Sequence, residues 1–286
     1  MRKLYGLLGR NISYSLSPLM HNAAFRHFGI DAEYSVFDKQ EQEVTGFFRD
    51  AVSSGSVAGF NVTVPYKIKI KELIESHTGG SIHDSAKILG AINTVSVNSK
   101  GVVGYNTDGQ GFYHSLRDET GFDPKGKNIF VFGAGGAGRA ISFFIASRPD
   151  RPRQIVIYDP DTKNAEFVTE ELNASFARGI GVSADAGTIN RYLTKSDLAV
   201  NATPLGTKSG DDAPFDVTLL GKTAVVYDLV YSRETSVVKS AREKGLIAVN
   251  GLGMLVNQGA LAFEIWTGCA WREARDVMRE AVADAL

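Results

Sequence analysis

The chain has 286 residues, which at about 150 residues per domain implies two domains. Its 31 Lys and Arg against 32 Asp and Glu leave a formal charge of −1, so nothing draws it to a phosphate backbone over distance and nucleic acid is excluded as the primary partner. No apolar stretch reaches the roughly 18 residues of a membrane span, and with Cys269 as the sole cysteine neither an intrachain disulfide nor a cysteine-based metal site is expected.

The apolar run after Arg2-Lys3 stops at Arg10, too short for a secretory signal, and reads as a first strand over Lys3–Gly9. The expected location is therefore cytoplasmic. Pro18–His27 reads as a helix capped by Ser17, with Pro18 at its first position. Glu33–Phe37 and Val57–Val62 read as strands and Glu41–Ser53 as a helix. In Tyr66–Ser76 the lysines alternate as in a strand, but Ile70, Leu73, Ile74 and His77 follow helical spacing, and helix is favoured after Pro65. Ile92–Val97 and Val102–Tyr105 flank the turn residues Asn98-Ser99-Lys100-Gly101, which predicts a hairpin.

A helix over Phe112–Glu119 leads to the polar connector Gly121–Gly126, a candidate boundary region. Beyond it strands and helices alternate: Asn128–Phe132, Gly138–Ser147, Gln154–Tyr158, Thr162–Ala177, Leu198–Asn201, Ala224–Leu229 and Thr235–Lys244. That alternation predicts parallel βα units. Met254–Trp266 and Arg272–Ala285 read as two closing helices. The five histidines are scattered without metal-ligand spacing, so no metal is assigned.

Gly133-Ala134-Gly135-Gly136-Ala137-Gly138 fits G-x-G-x-x-G, a pattern weak by itself in a chain with 30 glycines. Its context is informative: the apolar strand Ile129–Phe132 precedes it and a helix follows from Arg139. In such a turn the first glycine bends the chain, the second admits a pyrophosphate and the third lets helix and strand pack closely. Asp159 ends the next strand 21 positions after Gly138, near the roughly 20 expected of a ribose-binding carboxylate. A carboxylate there accepts from both ribose hydroxyls and repels a 2′-phosphate, which favours NAD over NADP.

Further motifs occur in a fixed order: Ser15-Leu16-Ser17-Pro18, Asn61-Val62-Thr63-Val64-Pro65-Tyr66-Lys67, Gly90-Ala91-Ile92-Asn93-Thr94, Gly104–Gly109, the Gly133–Arg139 turn, Asn201-Ala202-Thr203 and Gly251–Gln258. With these the chain resembles the shikimate dehydrogenases over nearly its whole length. The resemblance implies an α/β substrate domain formed by residues 1–108 and 254–286, and a Rossmann-type, doubly wound parallel-sheet domain over 109–253. It also implies interconversion of shikimate and 3-dehydroshikimate by hydride transfer to and from a nicotinamide cofactor, on a monomer or homodimer.

Oxidising a secondary alcohol requires a group that takes the hydroxyl proton. Lys67 falls in the first turn of a helix, where a cation opposes the positive end of the dipole, a place that favours a neutral base. The resemblance makes Lys67 the catalytic lysine and Asp108 its partner. It likewise implies that Ser15 and Ser17 bind the substrate carboxylate, and that Thr63, Asn93, Tyr231 and Gln258 bind the rest of the substrate. Asn201, Thr203 and Gly251 join the glycine turn and Asp159 on the cofactor side. Lys69 and Lys71 read as solvated, Tyr227 as core, and His21 with Asn22 as support for the serine motif.

The chain departs from the pattern at the second Rossmann strand. NADP-using relatives resemble one another in an Asn-Arg-Thr stretch with a further Arg, whose guanidinium groups grip the 2′-phosphate. Here the stretch is Asp159-Pro160-Asp161, with Asn164 at the later place. This resembles the NAD-preferring shikimate and quinate branch, whereas Ser17, where quinate-preferring relatives often carry Thr, favours shikimate. A quinate dehydrogenase, and a ligand sensor without turnover, are the competing readings.

Overall fold

Short apolar strands separated by helices with one buried face build two sheets. The structure is a computed structural model that describes residues 2–283. Its first elements are β1 (Lys3–Gly9), α1 (Ser17–His27), β2 (Ala32–Asp38), α2 (Glu41–Ser54), β3 (Val57–Val62), α3 (Lys67–Glu75), β4 (Gly80–Ile82), α4 (Asp84–Lys87), β5 (Thr94–Asn98) and β6 (Gly101–Tyr105). These six strands form one sheet in the order β2-β1-β3-β5-β6-β4. β1 pairs in parallel with β2 and β3, while β5 runs antiparallel to both β3 and β6. The β5–β6 turn closes with Asn98 opposite Gly101, the hairpin the turn residues predict.

Alternation along β1 divides the sheet's two faces. Leu8 joins Phe60, Ile70, Ile74, Val95 and Val102 in a fully buried cluster under α2 and α3. Tyr5, on the opposite face, packs on Phe25 of α1 and on Trp266, with ring centroids 5.1 and 5.0 Å apart. The Trp266 indole N–H donates to the Val95 carbonyl at 2.9 Å, which ties the segment carrying Trp266 to the sheet.

The chain continues through α5 (Asp108–Thr120), β7 (Asn128–Phe132), α6 (Gly136–Ala146), β8 (Gln154–Tyr158), α7 (Thr162–Ser175), β9 (Gly181–Ala184), α8 (Ile189–Leu193), β10 (Leu198–Asn201), β11 (Val225–Asp228), α9 (Ser236–Glu243), β12 (Ile247–Val249), α10 (Leu252–Thr267) and α11 (Trp271–Ala283). The second sheet is wholly parallel, in the order β12-β11-β10-β7-β8-β9. Strand order reverses between β7 and β10, the arrangement of a doubly wound Rossmann sheet. The sequence reading passes over β4, β9 and β12, which have three or four residues each and too little alternation to register. The expected end of the last helix at Ala285 lies outside the described residues.

The chain divides into two compact units, Met1–Thr107 with Val256–Leu286, and Asp108–Leu255. The division therefore falls ahead of α5, not in the Gly121–Gly126 connector, and Asp108 opens the second unit. Helix α5 explains the shift: Phe112 and Leu116 are fully buried, and Phe112 packs on Tyr227 of β11, so the helix belongs with the second sheet. Among the described residues no helix is long and apolar enough to cross a membrane, and no group of three or more His, Cys, Asp or Glu could hold a metal ion.

One expectation at α1 changes on folding. Ser17 is the first helical residue and not the cap, and Leu16 occupies the cap position without a side-chain bond. The Ser15 hydroxyl takes over the local task by accepting from the Ser17 N–H at 3.2 Å. His21 is fully buried, its ring stacked on Tyr34 at 4.2 Å and 7° and neither ring nitrogen hydrogen-bonded. Burial in this apolar stack lowers its pKa to about 3.

An unfolded histidine takes up a proton near pH 6.5, whereas the folded one resists it until about 3, so stability present above 6.5 is lost as the pH falls. We expect a His21→Phe variant, compared with the parent by urea unfolding at pH 7, 6, 5 and 4, to lose less stability on acidification. The difference should grow by about 1 kcal/mol per pH unit below 6.5. Parallel pH curves for the two proteins would show that His21 does not titrate on unfolding.

Candidate functional site

The order of the first sheet gathers the expected substrate residues at one end. β1 and β3 run in parallel, so the segments after them, carrying Ser15 and Ser17, and Thr63 and Lys67, leave from the same end. β5 is antiparallel to β3 with Thr94 opposite Asn61, so Asn93 enters at that end too. The backbone joins these segments directly: Thr63 N–H donates to the Leu8 carbonyl at 2.9 Å and Val62 N–H to the Asn93 carbonyl at 2.8 Å. Lys67 is the first residue of α3, whose first turn carries no acidic residue.

Two groups of hydrogen bonds lie at this end, the Ser15–Ser17 pair and a largely buried run from Tyr34 to the Gln258 carbonyl. Ser15 Oγ donates to Ser17 Oγ at 3.1 Å. Tyr34 donates to Asn61 Oδ1 at 2.8 Å, and Asn61 Nδ2 donates to Thr94 Oγ1 at 3.0 Å and to the Asn93 carbonyl at 3.2 Å. Thr94 Oγ1 donates to Asn93 Oδ1 at 3.0 Å, Asn93 Nδ2 to Thr107 Oγ1 at 2.9 Å, and Thr107 Oγ1 to the Gln258 carbonyl of α10 at 3.1 Å. Burial pushes the Tyr34 phenol well above its usual range, with the Ser17 side chain pulling the other way. Asn22 supports the same place by bonding both the N–H and the C=O of Tyr34, at 2.8 and 2.9 Å. Sequence reasoning assigned no role to Tyr34, Asn61, Thr94 or Thr107. The signal available for Asn61 was a lone amide at the end of an otherwise apolar strand.

In the second unit the expected cofactor residues lie at the carboxyl ends of β7, β8, β10 and β12. Gly133 has φ +109°, a left-handed conformation that glycine tolerates, and its N–H donates to the Tyr158 carbonyl at 2.7 Å. A Cβ on Gly138 would stand 2.0 Å from the Gly133 carbonyl oxygen, so only glycine lets α6 start this close to β7. Gly135 and Gly136, by contrast, border open space at the N-terminus of α6. The turn thus has the two tight glycines and the open backbone that a dinucleotide pyrophosphate needs.

Asp159 closes the turn from the side. Its Oδ2 accepts from Ala134 N–H at 2.8 Å and its Oδ1 from Asp161 N–H at 3.0 Å. Asp161 in turn caps α7 by accepting from Lys163 N–H. Arg139, one turn into α6, pairs with Glu171 at 3.0 Å.

Asn201 and Thr203 sit in a second buried network. Asn201 is fully buried; its Nδ2 donates to Asp228 Oδ1 at 2.8 Å and to the Leu205 carbonyl at 3.0 Å, and its Oδ1 accepts from Thr203 N–H and Oγ1. Its amide therefore shapes the loop after β10. Asp228, also fully buried, accepts from Val230 N–H at 3.0 Å and from the Thr235 hydroxyl, holding the segment that carries Tyr231. Burial raises the Asp228 carboxyl above its ordinary range, while the bonds from Thr235, Val230 and Asn201 pull it down. Asp228 and Thr235 were missed as organising residues, although an acid ending the apolar strand Val225–Asp228 was a readable sign. Gly251 follows β12 packed against the Leu229 carbonyl, Tyr227 is core with its hydroxyl 2.7 Å from Ser115 Oγ, and Asp108 is buried at the start of α5.

Comparison with known proteins agrees with this geometry. Residues 7–95 match the shikimate dehydrogenase substrate binding domain, and residues 251–283 match the shikimate 5′-dehydrogenase C-terminal domain. The shikimate dehydrogenase (NADP(+)) of Methanopyrus kandleri is 42% identical over 98% of this chain and 95% of its own length. A crystal structure of a shikimate dehydrogenase in complex with NADP+ superimposes with a TM-score of 0.87 at 33% identity, covering 99% of this chain and 95% of that one. The shikimate 5-dehydrogenase of Listeria monocytogenes, in complex with shikimate and NAD, gives 0.84 at 30% identity with 96% of each chain covered. By sequence and by fold, this chain belongs to the shikimate dehydrogenase family.

Proposed function

We propose that this protein interconverts shikimate and 3-dehydroshikimate, with Lys67 and Asp108 as its acid–base pair. The observation that carries the reading is the convergence of the segments bearing Ser15 and Ser17, Thr63 and Lys67, and Asn93 on one end of the first sheet, with Asn93 joined through Thr107 to the Gln258 backbone. The two serine hydroxyls, at the start of α1, hold the substrate carboxylate, since free donors and the helix dipole favour an anion there. Thr63, Asn93, Tyr231 and Gln258 are short-range neutral partners suited to fixing the remainder of a polyhydroxylated ring. In the oxidation Lys67 Nζ takes the proton from the reacting hydroxyl oxygen, and in the reverse direction it returns that proton to the carbonyl oxygen. Asp108 orients the ammonium and one substrate hydroxyl.

The nicotinamide dinucleotide supplies the hydride acceptor and donor. Gly133–Gly138 would hold its pyrophosphate at the start of α6, and Asp159 would bind the adenosine ribose; Asn201, Thr203 and Gly251 belong to the loops beyond. NAD is the proposed preference. Bound through its adenosine ribose, a 2′-phosphate would meet the Asp159 carboxylate, and no arginine occurs between Asp159 and Asn164 to offset that charge. The relatives named for NADP(+) argue the other way, and the assay decides.

Nicotinamide absorbance with shikimate or quinate and NAD or NADP, in all four pairings, tests the reading. We expect turnover with shikimate and NAD, weaker with NADP and with quinate. Silence in all four would favour a sensor. Lys67→Ala should lower kcat by about 100-fold or more, as loss of a positioned proton-transfer group does; a kcat within a few-fold of the parent would remove Lys67 from the chemistry. Asp159→Asn keeps a hydrogen-bond acceptor and removes the charge. It should shift the NAD:NADP ratio of kcat/KM toward NADP by about ten-fold or more, because like charges a few ångströms apart repel by several kcal/mol near a protein surface. An unchanged ratio would show that Asp159 does not read the ribose.

A further inference from the structure

Both sheets are open, so each has two edge strands with backbone N–H and C=O groups turned outward, a template on which another strand can add. On β9, Ile155 N–H reaches the Ile180 carbonyl, so the alternate residues Gly181 and Ser183 turn away from β8. Outside them stands Asn173 of α7. Its Oδ1 accepts from Gly181 N–H and its Nδ2 donates to the Gly181 carbonyl, both at 2.9 Å. These are the two bonds a neighbouring strand would make at Gly181, and Oδ1 also accepts from Gly179 N–H at 2.9 Å. A Cβ on Gly181 would stand 2.8 Å from the Thr169 carbonyl oxygen, so glycine lets α7 bring the amide this close to the edge. β2 repeats the arrangement on the first sheet. Lys3 N–H reaches the Asp31 carbonyl, which turns Ala32 and Tyr34 outward. There Asn22 of α1 holds both backbone groups of Tyr34, at 2.8 and 2.9 Å. The other two edges, β4 and β12, are three residues long each. On β12 the Ala248 carbonyl takes Nε and Nη2 of Arg242, at 3.2 and 3.1 Å.

We propose that Asn173 and Asn22 stand in for an absent strand, and that they keep a second copy of this chain from adding to β9 and β2. A side-chain amide suits the task because it sets a donor beside an acceptor, as a peptide group does. Unlike a strand it is one unit long and presents no further row of groups to pair with. A second copy is the strand kept out, because like edges of two identical chains meet about a twofold axis and satisfy one another there. The two amides come from different helices and close different sheets, so the arrangement arises twice and independently. Whatever surface this protein uses to form pairs, its sheet edges are withheld from it.

The test compares the full chain with its Asn173→Ala and Asn22→Ala variants by sedimentation velocity over a range of concentrations, with Leu172→Ala as a reference. Leu172 is fully buried on the same helix as Asn173, so its truncation lowers stability and leaves the edge closed. Each asparagine variant should self-associate at a concentration about ten-fold or more below that of the parent, the factor that two net hydrogen bonds are worth. Its infrared amide band should gain the component of intermolecular strands. Adding Ser183→Pro to Asn173→Ala removes the next outward N–H on β9 and should restore the parent's behaviour. Asn22→Ala keeps the test open should Asn173→Ala fail to fold. The proposal is overturned if neither asparagine variant associates more readily than the parent, or if Leu172→Ala associates as readily as they do. Association of Asn173→Ala that Ser183→Pro leaves unchanged would overturn it as well.

Discussion

Asn61 ties a buried amide to partners on two other strands of the first sheet, adding a polar constraint to the register that the apolar pattern favours. A buried side-chain amide has donors and acceptors that cost about 1–3 kcal/mol each if left unmade. Asn61 satisfies them only with β2 supplying the Tyr34 hydroxyl and β5 supplying Thr94 and the Asn93 carbonyl. A slip of one residue in either strand would turn the partner side chain to the other face and strand the amide. The same requirement also brings Asn93 to the end of β3. Structure and site in the first unit thus depend on one constraint, the need to satisfy a polar group where water cannot reach.

The second unit solves a similar problem with backbone proximity. Its sheet is parallel throughout with mostly apolar central strands, and the polar groups of the site lie at their carboxyl ends. There Asp159 bonds the glycine turn, and Asp228 ties the loop after β10 to the segment after β11. Gly138 lets the helix begin against β7, and the remaining open backbone faces the place a phosphate would take. The two networks differ in cost. Asp159 is half-exposed and sheds little solvation, whereas Asp228 is fully buried and needs every one of its bonds.

Much of this was legible in the residues. The glycine turn, the strand before it and the acid after the next strand follow from spacing, because backbone clashes admit few residue types there. Lys67 at a helix start followed from Pro65 and the spacing of Ile70 and Ile74, which both prove fully buried. Other readings failed for identifiable reasons. Ser17 reads as a cap because a serine before a proline commonly is one, but α1 starts one residue earlier and Ser15 bonds the Ser17 N–H. The polar connector Gly121–Gly126 reads as a boundary because composition shifts there, while the division follows the burial of α5 against the second sheet.

By itself the sequence determined the class of each half, the presence of a dinucleotide turn, and a set of hydroxyl, amide and lysine side chains in motif order. Those follow from local rules: strand and helix periodicity, turn chemistry, and the narrow choice of residues a phosphate-binding turn allows. Only the tertiary structure decided that Tyr34, Asn61, Thr94 and Thr107 join the expected ligands, and that Asn201 serves a loop through Asp228. It also decided that His21 sits neutral in an aromatic stack. These are contacts between segments tens of residues apart, and their energetics depend on burial, which no window of sequence contains.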